Sequence, residues 1–143
     1  MTTKLYDPKR VSVLAGGVPI SGWAEGEFIT IVFDEDTFQK VVGTDGHTSR
    51  SKNSNRNARL TIKLMQTSKS NDVLSALHNL DVLTDGGAGV VPWMIKDNNG
   101  TMLFTTAKGW VVKPPDRSFD KTAKNRDWAV DCTDCVDFEG GTD

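Results

Sequence analysis

The apolar pattern of this chain predicts a mainly β protein: an antiparallel barrel or sandwich with one flanking α-helix. Three observations carry that expectation. Most apolar residues fall in short β-branched and aromatic runs, only one stretch shows helical periodicity, and turn residues punctuate the chain between runs.

The strand-like runs can be taken in order. Val11-Ser-Val-Leu14 leads through the turn signal Gly16-Gly17 to Val18-Pro-Ile20. Phe28-Ile-Thr-Ile-Val-Phe33 is followed by the acidic turn Asp34-Glu-Asp36. In Leu60–Met65, Leu60, Ile62 and Leu64 alternate with Thr61 and Lys63, the period of a half-buried strand. Val90–Ile95 and Thr101–Thr106 flank Asp97-Asn-Asn-Gly100 as a hairpin, and Gly109–Val112 continues its second arm past a bulge at Lys108-Gly109. Pro92 lacks a donor, so it belongs at a strand start or edge. Trp128–Phe138 reads as one last strand with Trp128, Val130, Cys132, Val136 and Phe138 on a common face.

The helix is expected over about 71–81. Val73, Leu74, Leu77 and Leu80 form its stripe, Ser70 or Asn71 caps its free amides, and Asp72 suits its positive end. Gly86-Gly-Ala-Gly89 then breaks the chain, and the polar stretch 114–127 reads as a loop.

Residues 43–59 are the anomaly. These 17 residues hold no large apolar side chain, whereas connections in compact domains run about 4–6 residues. An arm with so little apolar area gains little by folding onto its own body. It is expected to be a long extended loop ordered by something outside the monomer.

Composition narrows the function classes. The 143 residues suit one domain spanning 1–143, with 37% hydrophobic and 25% charged residues as in ordinary globular proteins. A net charge of −2 argues against a general nucleic-acid binder. No run reaches the roughly 20 apolar residues of a membrane span, and the N-terminus lacks the apolar core of a secretory signal. Synthesis in the cytoplasm and no membrane anchor are the expectations. Charge is unevenly spread: Arg50, Lys52, Arg56 and Arg59 against Asp45 give residues 43–59 a net +3. Residues 127–143 carry six carboxylates and no Lys or Arg. Such patches either sit solvated and independent or guide identical copies into a head-to-tail contact.

Catalytic signatures are missing. Cys132-Thr-Asp-Cys135 has no second ligand pair for zinc, and His47 and His78 lie far away in sequence. A redox pair opens a helix, whereas this one lies in a strand pattern, where one thiol would be core and the other exposed. Both histidines read as surface residues. The carboxylates of 34–36 and of the last strand do not define a dyad across a cleft. No GxSxG, P-loop or GxGxxG occurs. The expectation is no enzyme and no cofactor.

Several segments resemble tail tube proteins of contractile-tailed bacteriophages. They are Tyr6-Asp-Pro with Val11-Ser-Val, Gly16–Gly22, Glu25–Ile29, Val42–Gly46 and Leu60–Leu77. The hairpin at Asp97–Gly100 and Ala107-Lys-Gly-Trp110 extends the likeness. Gln66-Thr-Ser-Lys-Ser-Asn-Asp72, at a strand-to-helix junction, is the most specific stretch; the CxxC departs from the pattern. The resemblance implies a subunit of hexameric rings stacked into a hollow tube, located in the virion and made in the host bacterial cytoplasm. Neighbouring sheets would join edge to edge, closing exposed rims. Genomic DNA would transit the lumen without specific binding, inside a contractile sheath. Sheath, tape measure, baseplate and tail terminator proteins are the implied partners. Tubes of type VI secretion systems and phage-derived bacteriocins share the implied fold, so a tube protein of such a contractile injection system, passing effectors instead of DNA, is an alternative reading. The arm takes the place of the family's loop to neighbouring subunits. Arg50, Lys52, Arg56 and Arg59 are therefore expected to meet carboxylates of another copy, with Asp131, Asp134 and Asp137 as candidate partners. A monomeric β-sandwich binding carbohydrate through exposed tryptophans is the alternative of another class.

Overall fold

The computed structural model describes residues 3–141. Ten strands and one helix follow a short 3-10 turn at Pro8–Arg10, counted among the described residues. They are β1 (Val11–Ala15), β2 (Val18–Pro19), β3 (Ile29–Phe33), β4 (Phe38–Val42), β5 (Thr48–Lys52), β6 (Ala58–Met65), α1 (Ser70–Leu83), β7 (Val91–Asp97), β8 (Leu103–Lys113), β9 (Asn125–Thr133) and β10 (Val136–Phe138). Eight strands make one antiparallel sheet in the order β2-β1-β7-β8-β9-β6-β3, with β10 also on β8. Strands β4 and β5 form a separate two-stranded ribbon.

Alternation sets the core. Ala58, Leu60, Ile62 and Leu64 of β6 point inward, and register places them opposite Cys132, Val130, Trp128 and Arg126 of β9. Val13 and Ala15 of β1, Trp93 and Ile95 of β7, and Phe104 and Val111 of β8 complete the same cluster, into which α1 inserts Leu74. The sheet curls but its path does not close, because β3 and β1 are not hydrogen-bonded to each other.

Local chemistry explains the joints. Gly16 and Gly17 both take positive φ between the paired residues Ala15 and Val18, the requirement of a tight two-residue hairpin turn. Across β7 and β8 the register shifts between Val91 and Trp93, opposite residues 106–109, so the expected bulge is present. There Thr106 Oγ1 donates to the carbonyl of Thr133 (2.6 Å). Gly109 lies against the Trp93 indole, where an added Cβ would sit 2.4 Å from Cδ1. That close approach explains the glycine; the buried Trp93 Nε1 has no hydrogen-bond partner among the described residues.

The strand-to-helix junction is knitted to its surroundings. Ser70 Oγ accepts from Ser21 N (2.9 Å), and Ser68 Oγ donates to the Ser21 carbonyl (2.6 Å). Asn71 Nδ2 donates to the Met65 and Ser68 carbonyls, both at 3.0 Å, and its Oδ1 accepts from Trp128 Nε1 (2.9 Å). The capping expectation for Ser70 or Asn71 therefore fails for a physical reason. Both side chains are engaged in tertiary bonds, and Lys69 stands at the cap without a side-chain bond.

Three other expectations are corrected. The last strand is broken at Asp134, whose φ of 52° kinks the chain and shifts its parity by one residue. Cys135 consequently turns inward beside Cys132, both thiols are buried, and Val136 and Phe138 face solvent. Residues 43–59 are not structureless: they contain the turn and second strand of the β4–β5 ribbon and the first two residues of β6. His78 is half-buried, with Nδ1 3.4 Å from the Val111 carbonyl, not free on the helix's polar flank.

Candidate assembly interface

The ribbon is the part of the molecule least accounted for by its own fold. All ten residues of β4 and β5 are exposed. They include Phe38, Val41 and Val42 at 47%, 67% and 59%. An isolated two-stranded hairpin is at best marginal in water. Register distributes its side chains unequally. Phe38 lies opposite Lys52, Lys40 opposite Arg50, and Val42 opposite Thr48, so these six share one face. Gln39, Val41, Ser49 and Ser51 form the other. One face of the arm thus combines three cations with two apolar side chains, and Arg50 rests over the Phe38 ring at 4.5 Å.

The base of the arm is held by short polar links. Asn53 N donates to the Thr37 carbonyl (2.7 Å). Asn55 N then bonds Asn53 Oδ1, and Asn57 N bonds Asn55 Oδ1, each at 2.9 Å. Asparagines spaced two apart therefore order a stretch that contains no apolar residue.

The candidate residues separate into groups. Arg50 and Lys52 project on the ribbon and form no ion pair among the described residues. Arg56 sits at the base, its guanidinium 4.5 Å over Phe33 and Nη1 donating to Thr37 Oγ1 (3.0 Å). Arg59 is not on the arm. As the second residue of β6 it lies directly across from Asp131 of β9, to which its Nε and Nη2 donate at 2.8 and 3.2 Å. The carboxylate expected from another copy is supplied to Arg59 within one chain, because the β6–β9 register puts the two side chains together. That bond, with the charge of Asp131, raises the Arg59 pKa. Asp134 occupies the kink and Asp137 lies on β10, both exposed. Sequence reasoning missed Phe38, Lys40 and Val42; their signal was two-residue alternation just after the acidic turn.

A second feature is the open seam of the curled sheet. A slot of about 580 Å³ lies there, lined by Val11, Ile29, Ile31 and Met102 and bordered by Glu27 and Glu139. The four apolar residues are half-buried.

Burial pushes the Cys132 thiol up to about 12 and raises that of Cys135, so both stay protonated near neutrality. Among the described residues no three His, Cys, Asp or Glu side chains converge as a metal site. No helix among them is long and apolar enough to cross a membrane.

Comparison with known proteins agrees with this architecture. The chain is 32% identical, over 145 residues, to structural protein ORF10 of Pseudomonas phage KPP10, covering 97% of this chain and 84% of that protein. Two solved structures share the fold. One is the sheath/tube terminator of the extracellular contractile injection system PVC in its extended state, with a TM-score of 0.59 and 11% identity over 97% of this chain and 100% of that one. The other is the tube-terminating cap of the anti-feeding prophage, with a TM-score of 0.61 and 8% identity over 100% and 95%. The sequence signature described as bacteriophage PhiTE tail tube protein matches residues 14–140. This chain therefore belongs to the PhiTE family of bacteriophage tail tube proteins.

Proposed function

We propose that the protein is the repeating subunit of a phage tail tube, assembling as six-membered rings that stack into a conduit for DNA within a contractile sheath. Its role is structural and non-enzymatic, and its place is the virion. Sheath, tape measure, baseplate and terminator proteins are its companions. The observation that carries this reading is the β4–β5 ribbon, which presents Arg50 and Lys52 away from the body with its whole surface exposed. The unclosed sheet adds to it, since an open rim is an aggregation hazard unless a neighbour covers it. Asp134 and Asp137 are exposed carboxylates, whereas Asp131 is already engaged by Arg59.

Charge reversal at Arg50 and Lys52 tests the arm. The variant should keep its fold by circular dichroism and form few tubes under negative-stain microscopy, while the wild-type chain forms many. Unaltered tube formation would refute the arm's role. A second reading has a specific basis, because the two solved structures described above are terminators. In that reading the wild-type chain gives single rings that cap a tube, and the same micrographs distinguish short rings from long tubes.

A further inference from the structure

We infer that the open seam beside β3 is the receptor for the β4–β5 ribbon of a second copy. The inference rests on the assembly reading above and names the surface it requires. Two unfinished features of the molecule match in both charge and polarity. The ribbon face holding Phe38, Lys40, Val42, Arg50 and Lys52 is cationic at its centre, where Lys40 lies opposite Arg50, and carries the apolar Phe38 and Val42 towards its two ends. The slot has an apolar floor, Val11, Ile29, Ile31 and Met102, and acidic borders at Glu27 and Glu139. Both are incomplete alone. The floor residues pack on the core cluster yet stay half-exposed, and every residue of the ribbon is exposed.

The chain's own ribbon does not fill its slot, since that would bury Phe38 and Val42. The occupant is therefore the ribbon of another molecule. Phe38 and Val42 enter the apolar floor, and Lys40, Arg50 and Lys52 meet the acidic borders. Opposite charges steer the encounter and fix its orientation, while apolar contact supplies the affinity. Ribbon and slot are different patches, so the contact is heterologous. Each copy that receives an arm still offers one, and the assembly grows by repetition.

The experiment uses the full-length chain and two readouts. In sedimentation, Arg50→Glu/Lys52→Glu and Glu27→Lys/Glu139→Lys should each reduce pelleted assemblies about tenfold or more, the change that loss of roughly 1.4 kcal/mol would give. Combining the four substitutions should restore assembly, and thermal melts confirm that each variant is folded. In cross-linking, Val42→Cys mixed with Ile31→Cys should give a mixed disulfide under mild oxidant, with neither variant pairing with wild type. Rescue of the arm variant by Asp134→Lys/Asp137→Lys and not by the slot substitutions would overturn this inference while leaving assembly through the arm intact. A wild-type chain that never pellets would instead defeat the tube reading. Absence of the mixed disulfide at high concentration would then remove the slot as well.

Discussion

Buried cysteines illustrate how one backbone angle redirects chemistry. Along an uninterrupted strand Cys132 and Cys135 would face opposite sides, but the left-handed residue Asp134 turns both inward. Desolvation then disfavours the thiolate, lifting Cys132 to about 12, with Cys135 displaced in the same direction. The consequence for stability has a definite sign. Below the unfolded thiol pKa of about 8.5 both states hold their protons and stability is unaffected. As pH rises toward 12 the unfolded chain releases protons that the native state retains, so this contribution is lost. Urea unfolding across pH 8–11 should show wild-type stability falling faster than that of Cys132→Ala, by up to about 1.4 kcal/mol per pH unit. Parallel pH profiles would contradict a buried, protonated Cys132. In the folded protein both thiols should also resist a thiol-specific reagent near neutral pH.

At the scale of elements, the body and the arm are energetically separate. Strands β6 and β9 bury Leu60, Ile62, Trp128 and Val130 against each other and the rest of the core. No ribbon residue is buried, and the ribbon is tied through Asn53, Asn55, Asn57 and Thr37. Excising 38–52 and rejoining the ends with a short Gly-Ser linker should therefore change the monomer's unfolding free energy by no more than about 1 kcal/mol. Loop length affects closure entropy only slowly. A collapse of the body in chemical denaturation would show that the ribbon folds with the core. This separation also explains what the sequence revealed. β6, α1 and the Gly16-Gly17 turn were legible because their apolar spacing or glycine geometry is a local property. Strand β5 was not: Thr48-Ser-Arg-Ser-Lys52 has no apolar alternation, and its pairing depends on β4. The break before β10 turns on the conformation of a single Asp134, and the Arg59–Asp131 bond on a register between strands 72 residues apart. Asn71 and Ser70 stand at a junction the sequence marks plainly, yet their ties to Trp128 and Ser21 belong to the tertiary fold.

For the whole molecule, folding and the proposed assembly would draw on different forces, and salt should separate them. The core is apolar, and the arm and acidic rim are exposed, so their attraction works through solvent. The Debye length falls from about 10 Å at 0.1 M salt to about 3 Å at 1 M, which screens exposed charge attractions while leaving core burial in place. Surface charge pairs are weak singly, about 0.2–1 kcal/mol. In the proposed tube, a contact using several of them would repeat at every subunit and become collectively sensitive to screening. Raising sodium chloride from 0.1 to 1 M should therefore reduce the pelleted fraction several-fold, while circular dichroism and the thermal midpoint stay essentially unchanged. The Arg50→Glu/Lys52→Glu variant should have lost most of that salt response, because its arm no longer attracts the acidic rim. If assembly proved indifferent to salt, or grew with it, apolar burial would dominate the contact. Phe38 and Val42, not Arg50 and Lys52, would then be the residues on which stacking depends.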